Sequence, residues 1–312
     1  MVNPLTLFQS VLLLFLLMIP GFLLRKFRVG GETLPRDLSN IILYVAQPAM
    51  IVVAFIRDFD KEVAFNAAGV LIFSFIAHAL FYLIARMLFR TAPHNIAKIY
   101  RFGVIFSNAG YMGIPLIKAI FDDSAAIYAS VYIIAFNFFT WSLGCLIYSE
   151  DKSYVSPKKM FINPATIPIY IGVLLFLLPI NQYVPEVVTN ALSMFSNTVA
   201  PISMMLIGML LADVKLKTAF ADRYLWEALA VRLLVFPVLI WVIVWLISLT
   251  GLYDSEIATA VTLICAATPS AAATGMFATK FGCDTQTASK FVSISTIFSV
   301  LTMPVVALLL YI

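Results

Sequence analysis

Apolar runs separated by short polar connections fill the chain from end to end. They lie at roughly 5–24, 38–56, 65–89, 101–121, 125–148, 163–180, 187–211, 224–249, 256–280 and 286–311. A helix needs about 20 mostly apolar residues to cross a bilayer, so the pattern predicts an all-α membrane protein with ten transmembrane helices. The longest polar connection, EDKSYVSPKK at 150–159, divides the spans five and five. The expected organisation is a first five-helix unit over 1–149, a cytoplasmic linker over 150–162 and a second five-helix unit over 163–312.

The polar connections carry charge unevenly. Sixteen of the 20 basic residues fall in alternate connections: Arg25, Lys26, Arg28 and Arg36; Arg86, Arg90, Lys98 and Arg101; Lys152, Lys158 and Lys159; Lys215, Lys217 and Arg223; Lys280 and Lys290. Arg57, Lys61 and Lys118 occupy the other side, and Arg232 sits inside the eighth span. Cytoplasmic loops are enriched in Lys and Arg, so both termini are expected outside, in a plasma or inner membrane. The basic residues nearest the first apolar run follow it rather than precede it, which predicts a retained anchor and not a signal peptide.

Proline and polar landmarks recur in the two halves. Asn3-Pro4 opens the first span and Asn163-Pro164 the sixth; Pro20 pairs with Pro179, LSNIILYVAQP ending at Pro48 with LSMFSNTVAP ending at Pro201, and Pro115 with Pro269. Because five spans is an odd number, the second copy enters from the opposite face. This predicts an inverted-topology repeat, an architecture of secondary transporters in which interrupted helices at matching positions mark the binding site.

The matching interruptions are SNAGYMGIPL (107–116) and ATPSAAATG (267–275). The fourth span is expected to break near Asn108–Gly113 and restart with Pro115 in its first turn, where a missing N–H costs least. The ninth is expected to break before Pro269 and restart there. Broken backbone is stable in a membrane only when buried in protein or lining a wet cavity. The N–H groups that open each second half-helix suit an anion without a buried Lys or Arg.

Composition sharpens this picture. The chain has 312 residues, of which 62% are hydrophobic and 12% charged, with a mean hydropathy of +1.00 and a net charge of +4. A soluble domain is nearer 25% charged. No nucleic-acid partner is needed to explain the basic residues, and the bilayer is the expected surrounding. Three cysteines without paired spacing read as free thiols, and two histidines argue against a metal site. Motifs for nucleotide-driven transport, serine hydrolysis and zinc proteolysis are absent, so an enzyme is not expected and no cofactor is implied.

FSNAGYMGIPL (106–116), VYIIAFNFFTWSLG (131–144) and the long stretch from ATPSAAATG to LTMPVV (267–306) resemble the auxin efflux carrier family. That family includes bacterial organic-acid permeases and plant PIN-type carriers. The resemblance implies a ten-helix inverted repeat with a scaffold part and a mobile part, with helices four and nine crossing at prolines matched here by Pro115 and Pro269. It implies organic anions as substrates, such as malate, malonate or indole-3-acetate. Asn108 matches the asparagine of the first crossover motif, and Asn137 a polar residue of helix five that faces the site. The chain lacks the long central loop of plant members, and its second span carries Gln47 beside Pro48 and no carboxylate. The fold also resembles bile acid:sodium symporters and NhaA-like antiporters; in the symporters the crossover holds sodium.

The substrate site is therefore expected to comprise Asn108, Ala109, Gly110, Tyr111, Asn137, Thr268, Pro269 and Ser270. Gly113, Pro115, Pro269 and Gly275 are the expected hinge positions, and Gln47, His78 and Thr140 accessory ones. His78 reads equally as a hydrogen-bonded helix contact. Glu227 and Arg232 read as snorkelling to the inner surface. Ser193, Ser196, Asn197 and Ser203, with Gln47, read as lining the cavity or, the safer reading, as helix contacts, and Asp122 and Asp123 as a solvated loop. The expected function is secondary transport of a small organic anion, with a coupling ion (Na+ or H+) left open and a homodimer possible; the alternatives are a sodium-coupled symporter and a membrane sensor.

Overall fold

The computed structural model describes residues 4–121, 125–164, 166–178, 180–214, 221–251 and 253–311. Asn3, Asp122, Asp123, Pro179, Lys215 and Lys217 lie outside the described residues, so expectations resting on them stay with the sequence. Among the described residues the structure is helical, apart from loops and one isolated β-bridge.

Among the described residues, seven helices are long and apolar enough to cross a membrane: α1 (Leu5–Lys26), α2 (Leu34–Phe55), α3 (Lys61–Ala85), α6 (Ala126–Ser149), α8 (Glu186–Ala212), α9 (Arg223–Leu249) and α12 (Thr285–Tyr311). Three apolar helices are shorter: α5 (Ala109–Phe121), α7 (Thr166–Leu177) and α10 (Glu256–Ala267). Two more, α4 (His94–Ile105) and α11 (Ala273–Lys280), complete the interrupted segments. Side-chain caps fix several starts: Asp60, Asp222, Ser255 and Asp284 accept N–H groups at the openings of α3, α9, α10 and α12. The Asp60 cap places α3 four residues earlier than the apolar run suggests.

Proline shapes these helices in a recurring way. Wide, π-type turns occupy Ile42–Ala46, Ala109–Gly113 and Val231–Val235, each ending two residues before Pro48, Pro115 or Pro237. A proline has no N–H and its ring crowds the carbonyl four residues back; the wider turn moves that carbonyl aside. A fourth wide turn, Thr140–Gly144, has no such proline.

Large apolar side chains are exposed along the helices, and a set of polar side chains is buried among the apolar core. Leu13, Phe65, Leu83, Leu174 and Leu301 are exposed, whereas Ser74, His78, Ser130, Arg232, Thr262 and Ser293 are fully buried. That arrangement fits a molecule whose solvent is lipid. Helix α8 packs on α1 and α2, α2 on α7, α3 on α6, and α10 on both α3 and α9. At the α1–α8 crossing, a Cβ on Gly21 would stand 1.9 Å from the Met205 carbonyl oxygen, and one on Gly208 2.1 Å from that of Met18. Small residues let membrane helices approach backbone to backbone.

The buried apolar core forms two large clusters. One contains residues of α5 and α10, the other residues of α4 and α11. Each interrupted segment thus passes from one cluster to the other, and the two interruptions meet where the clusters adjoin.

Candidate functional site

At that junction the chains pair like two short strands. Ser107 and Ser270 form an antiparallel bridge. The Asn108 N–H donates to the Pro269 carbonyl at 2.8 Å, and the Ala271 N–H to the Phe106 carbonyl at 2.9 Å. Helix α4 stops at Ile105 and α10 at Ala267, freeing the backbone groups that make these bonds. Ser270 N–H donates to Ser295 Oγ of α12 at 3.1 Å, and Ser270 Oγ pairs with Thr274 Oγ1 at 3.1 Å. Each backbone group that a break exposes in low dielectric needs such a partner.

The second break is shifted from the position the sequence suggests, and the first is not. The first runs from 106–108 into the wide turn at Ala109–Gly113, and regular α-helix resumes at Ile114 with Pro115 in its first turn, as expected. The second spans 268–272, and α11 restarts at Ala273 rather than Pro269. Strand pairing is the reason: Ser107 and Ser270 must be extended to bond across the crossover, which delays the return to helix.

A cavity of about 90 Å³ abuts the bridge. Asn108, Gly110, Tyr111, Asn137, Gln47 and Thr140 all line it. Asn108 Nδ2 and Thr140 Oγ1 are buried there without a hydrogen-bond partner. An unmet buried polar group costs about 1–3 kcal/mol. Asn137 donates to the Ile133 carbonyl at 3.1 Å, and Ser203 Oγ to the Tyr111 carbonyl at 3.0 Å, tying α8 to the wide turn. Aromatic rings of Phe136, Trp141 and Phe277 complete the wall. Among the described residues no charged side chain lines the cavity. Lys280 Nζ stands 4.6 Å from the Trp141 ring centroid, on the side where α6 and α11 end.

Other expected site residues lie elsewhere. Ala109, Thr268, Pro269 and Ser270 do not line the cavity; Thr268 Oγ1 donates to the Cys265 carbonyl at 2.8 Å. The second break presents instead Ala271, Ala272 and Ala273, a run of small residues legible in the sequence as a place for close backbone approach. Gly113 and Gly275 sit in helical turns, and a Cβ on either would make only ordinary contacts. His78 is sealed off: Nδ1 donates to the Ser74 carbonyl at 2.7 Å, and the ring stacks on Phe139 and lies against Phe106, Tyr132 and Phe136.

Arg232 does not snorkel. It is fully buried, and its Nη1 donates to the carbonyls of Val104 at 2.8 Å and Ile105 at 3.3 Å, while Nη2 donates to that of Ala266. The wide turn at Val231–Val235 carries it toward the crossover. A lone basic residue deep in an apolar span was the only sequence signal.

The sequence profile of a family described as "Membrane transport protein" matches residues 6–159 and 151–307, nearly the whole chain. The chain belongs to the auxin efflux carrier family of membrane transport proteins. The carrier is 24% identical to an uncharacterized transporter of Methanocaldococcus jannaschii, over 93% of this chain and 94% of that one. It is 25% identical to an uncharacterized transporter of Methanothermobacter thermautotrophicus, over 95% and 96% of the two chains. The carrier is thus an integral membrane transporter and not an enzyme.

Proposed function

We propose that this carrier moves a small organic anion, a mono- or dicarboxylate such as malate or malonate or an auxin-like acid, by alternating access around the crossover cavity. The carrying observation is the Asn108 amide, buried and unpartnered beside the openings of α5 and α11, in a cavity that no charged side chain among the described residues lines. Helix N-termini attract negative charge, and the amide supplies a donor for one carboxylate oxygen. The cavity falls below the range of roughly 300–1,000 Å³ for drug-sized ligands, which favours a small acid over a steroid.

The transport mechanism follows from a ten-span inverted repeat. What supports that reading is the equivalent packing of the halves: α1 on α8 and α7 on α2, and each interrupted segment against the third span of the other half. One unit would move against the other while the crossover keeps its register. Both termini lie outside in this reading.

Uptake by proteoliposomes of labelled malate, malonate, succinate, lactate, pyruvate and indole-3-acetate tests the proposal, with sodium and proton gradients varied. Saturable uptake of one acid, lost in a folded Asn108→Ala protein, is the expected result. Folded wild type that moves none of them would overturn the substrate class. Single cysteines at the two ends, in a Cys283→Ser background because Cys145 and Cys265 are buried, should label from outside; labelling of one end alone would overturn the span count.

A further inference from the structure

Arg232 gathers the ends of both first half-helices onto one side chain. The last carbonyls of a helix have no N–H partner within it. Those of Val104 and Ile105 end α4 and that of Ala266 ends α10, and the guanidinium donates to all three. A helix C-terminus carries roughly half a negative charge, so two converging ends amount to about one. The guanidinium, which keeps its charge at physiological pH, offsets it. Among the described residues no acidic side chain contacts Arg232; its remaining neighbour of note is the Phe81 ring, 5.9 Å away. A buried charge is stable only with compensation, and here main-chain oxygens provide it.

Carbonyl oxygens of this kind are also ligands that an alkali cation takes. Half-helix C-terminal carbonyls in transporters hold Na+ in this manner, and hard cations take oxygen ligands. We propose that Arg232 is the built-in cation of the crossover. It occupies the oxygens that a co-transported alkali ion would use, cancels the negative ends of α4 and α10, and leaves the positive ends of α5 and α11 to bind substrate. The carrier then moves its anion without co-bound sodium. The proposal takes its substrate class from the reading above, but the role of Arg232 can be measured separately.

Wild type, Arg232→Gln and Arg232→Lys are purified, checked by size-exclusion, and melted in detergent in NaCl and in choline chloride at equal ionic strength. Malonate and malate uptake are measured in the same two salts. Wild type should melt and transport alike in both. Arg232→Gln should melt lower in choline and lose uptake about tenfold, with Na+ partly restoring both; Arg232→Lys, which keeps a charge, should retain more activity and stay indifferent to Na+. A wild type stabilised by Na+, or dependent on it for uptake, overturns the proposal. So does an Arg232→Gln protein that ignores Na+ in both measurements. If the glutamine variant is recovered in neither salt, the lysine variant decides: rescue supports the role of charge, and equal loss overturns it. If wild type moves no acid, the substrate reading fails while the melting comparison still judges Arg232.

Discussion

Asn108 and Pro269 are joined through their backbones, N–H to carbonyl oxygen at 2.8 Å, although 161 positions separate them in the chain. The reciprocal bond from Ala271 to Phe106 closes a minimal antiparallel pair. The two interrupted segments therefore share one register. Such a shared register is what the proposed movement around one central site needs.

Replacing Ala271 with proline tests that pairing. The substitution removes the N–H that meets Phe106 and leaves a buried carbonyl unmet, at a cost of about 1–3 kcal/mol. The variant should melt lower in detergent and lose uptake, while Ala271→Ser, which keeps the N–H, should lose much less. Equal behaviour of the two variants would count against the bridge.

Glycine positions separate packing from hinge roles. Gly21→Ala forces a Cβ against the Met205 carbonyl, a backbone atom that cannot swing aside, and should destabilise by about 1–3 kcal/mol or more. Gly275→Ala places a Cβ whose nearest neighbour is Ser289 Oγ at 3.9 Å and should stabilise α11 by about 0.5–1 kcal/mol. Thermal melting of the two variants reads both effects. Full uptake by Gly275→Ala would remove the residue from the hinge, as its surroundings suggest.

Lys280 stands over a ring that lines the cavity. If anions approach from that side, Lys280→Glu should raise KM about fivefold, equivalent to about 1 kcal/mol at an exposed site. The effect should shrink at high salt. A change in kcat with KM unaltered would place Lys280 outside the substrate path.

Asp222 ties three helices at one end of the molecule. It caps α9, accepts from Lys290 of α12 at 2.6 Å and from the Tyr100 hydroxyl of α4 at 2.6 Å. Burial opposes its ionisation, but the bonds from Lys290 and Tyr100 outweigh burial and hold the carboxyl below the ordinary aspartate range. A lowered folded value means that the unfolded chain binds the proton more tightly. The stabilisation is therefore complete above the ordinary range and is lost as pH falls through the folded value. Asp222→Ala should cost about 1–3 kcal/mol at pH 7, and melting curves of wild type and variant should converge as pH falls below the ordinary aspartate range.

Much of the fold was written in the lengths of the apolar runs. Apolar run length located the seven helices that, among the described residues, are long enough to span, because a bilayer imposes a length that any sequence must meet. Asn108, Gly110, Tyr111 and Asn137 could be named as cavity residues from the interrupted motif and the family resemblance. Thr268 and Ser270 were misplaced because spacing along one segment does not say which side chains satisfy their own backbone and which face a cavity. Arg232 was misread for a related reason: snorkelling is the common fate of a basic residue near a span end, and only the carbonyls of two other helices make burial tolerable.

By itself, then, the sequence determined that this chain lives in lipid, is helical, and breaks its fourth and ninth apolar runs, since these follow from local hydropathy and from what proline and glycine do to a helix. The tertiary structure alone decided where the second break ends, which donors remain unmet in the cavity, and where the buried guanidinium goes. Those outcomes depend on hydrogen bonds between residues more than a hundred positions apart, and in a medium without water each backbone group takes the partner that packing brings to it.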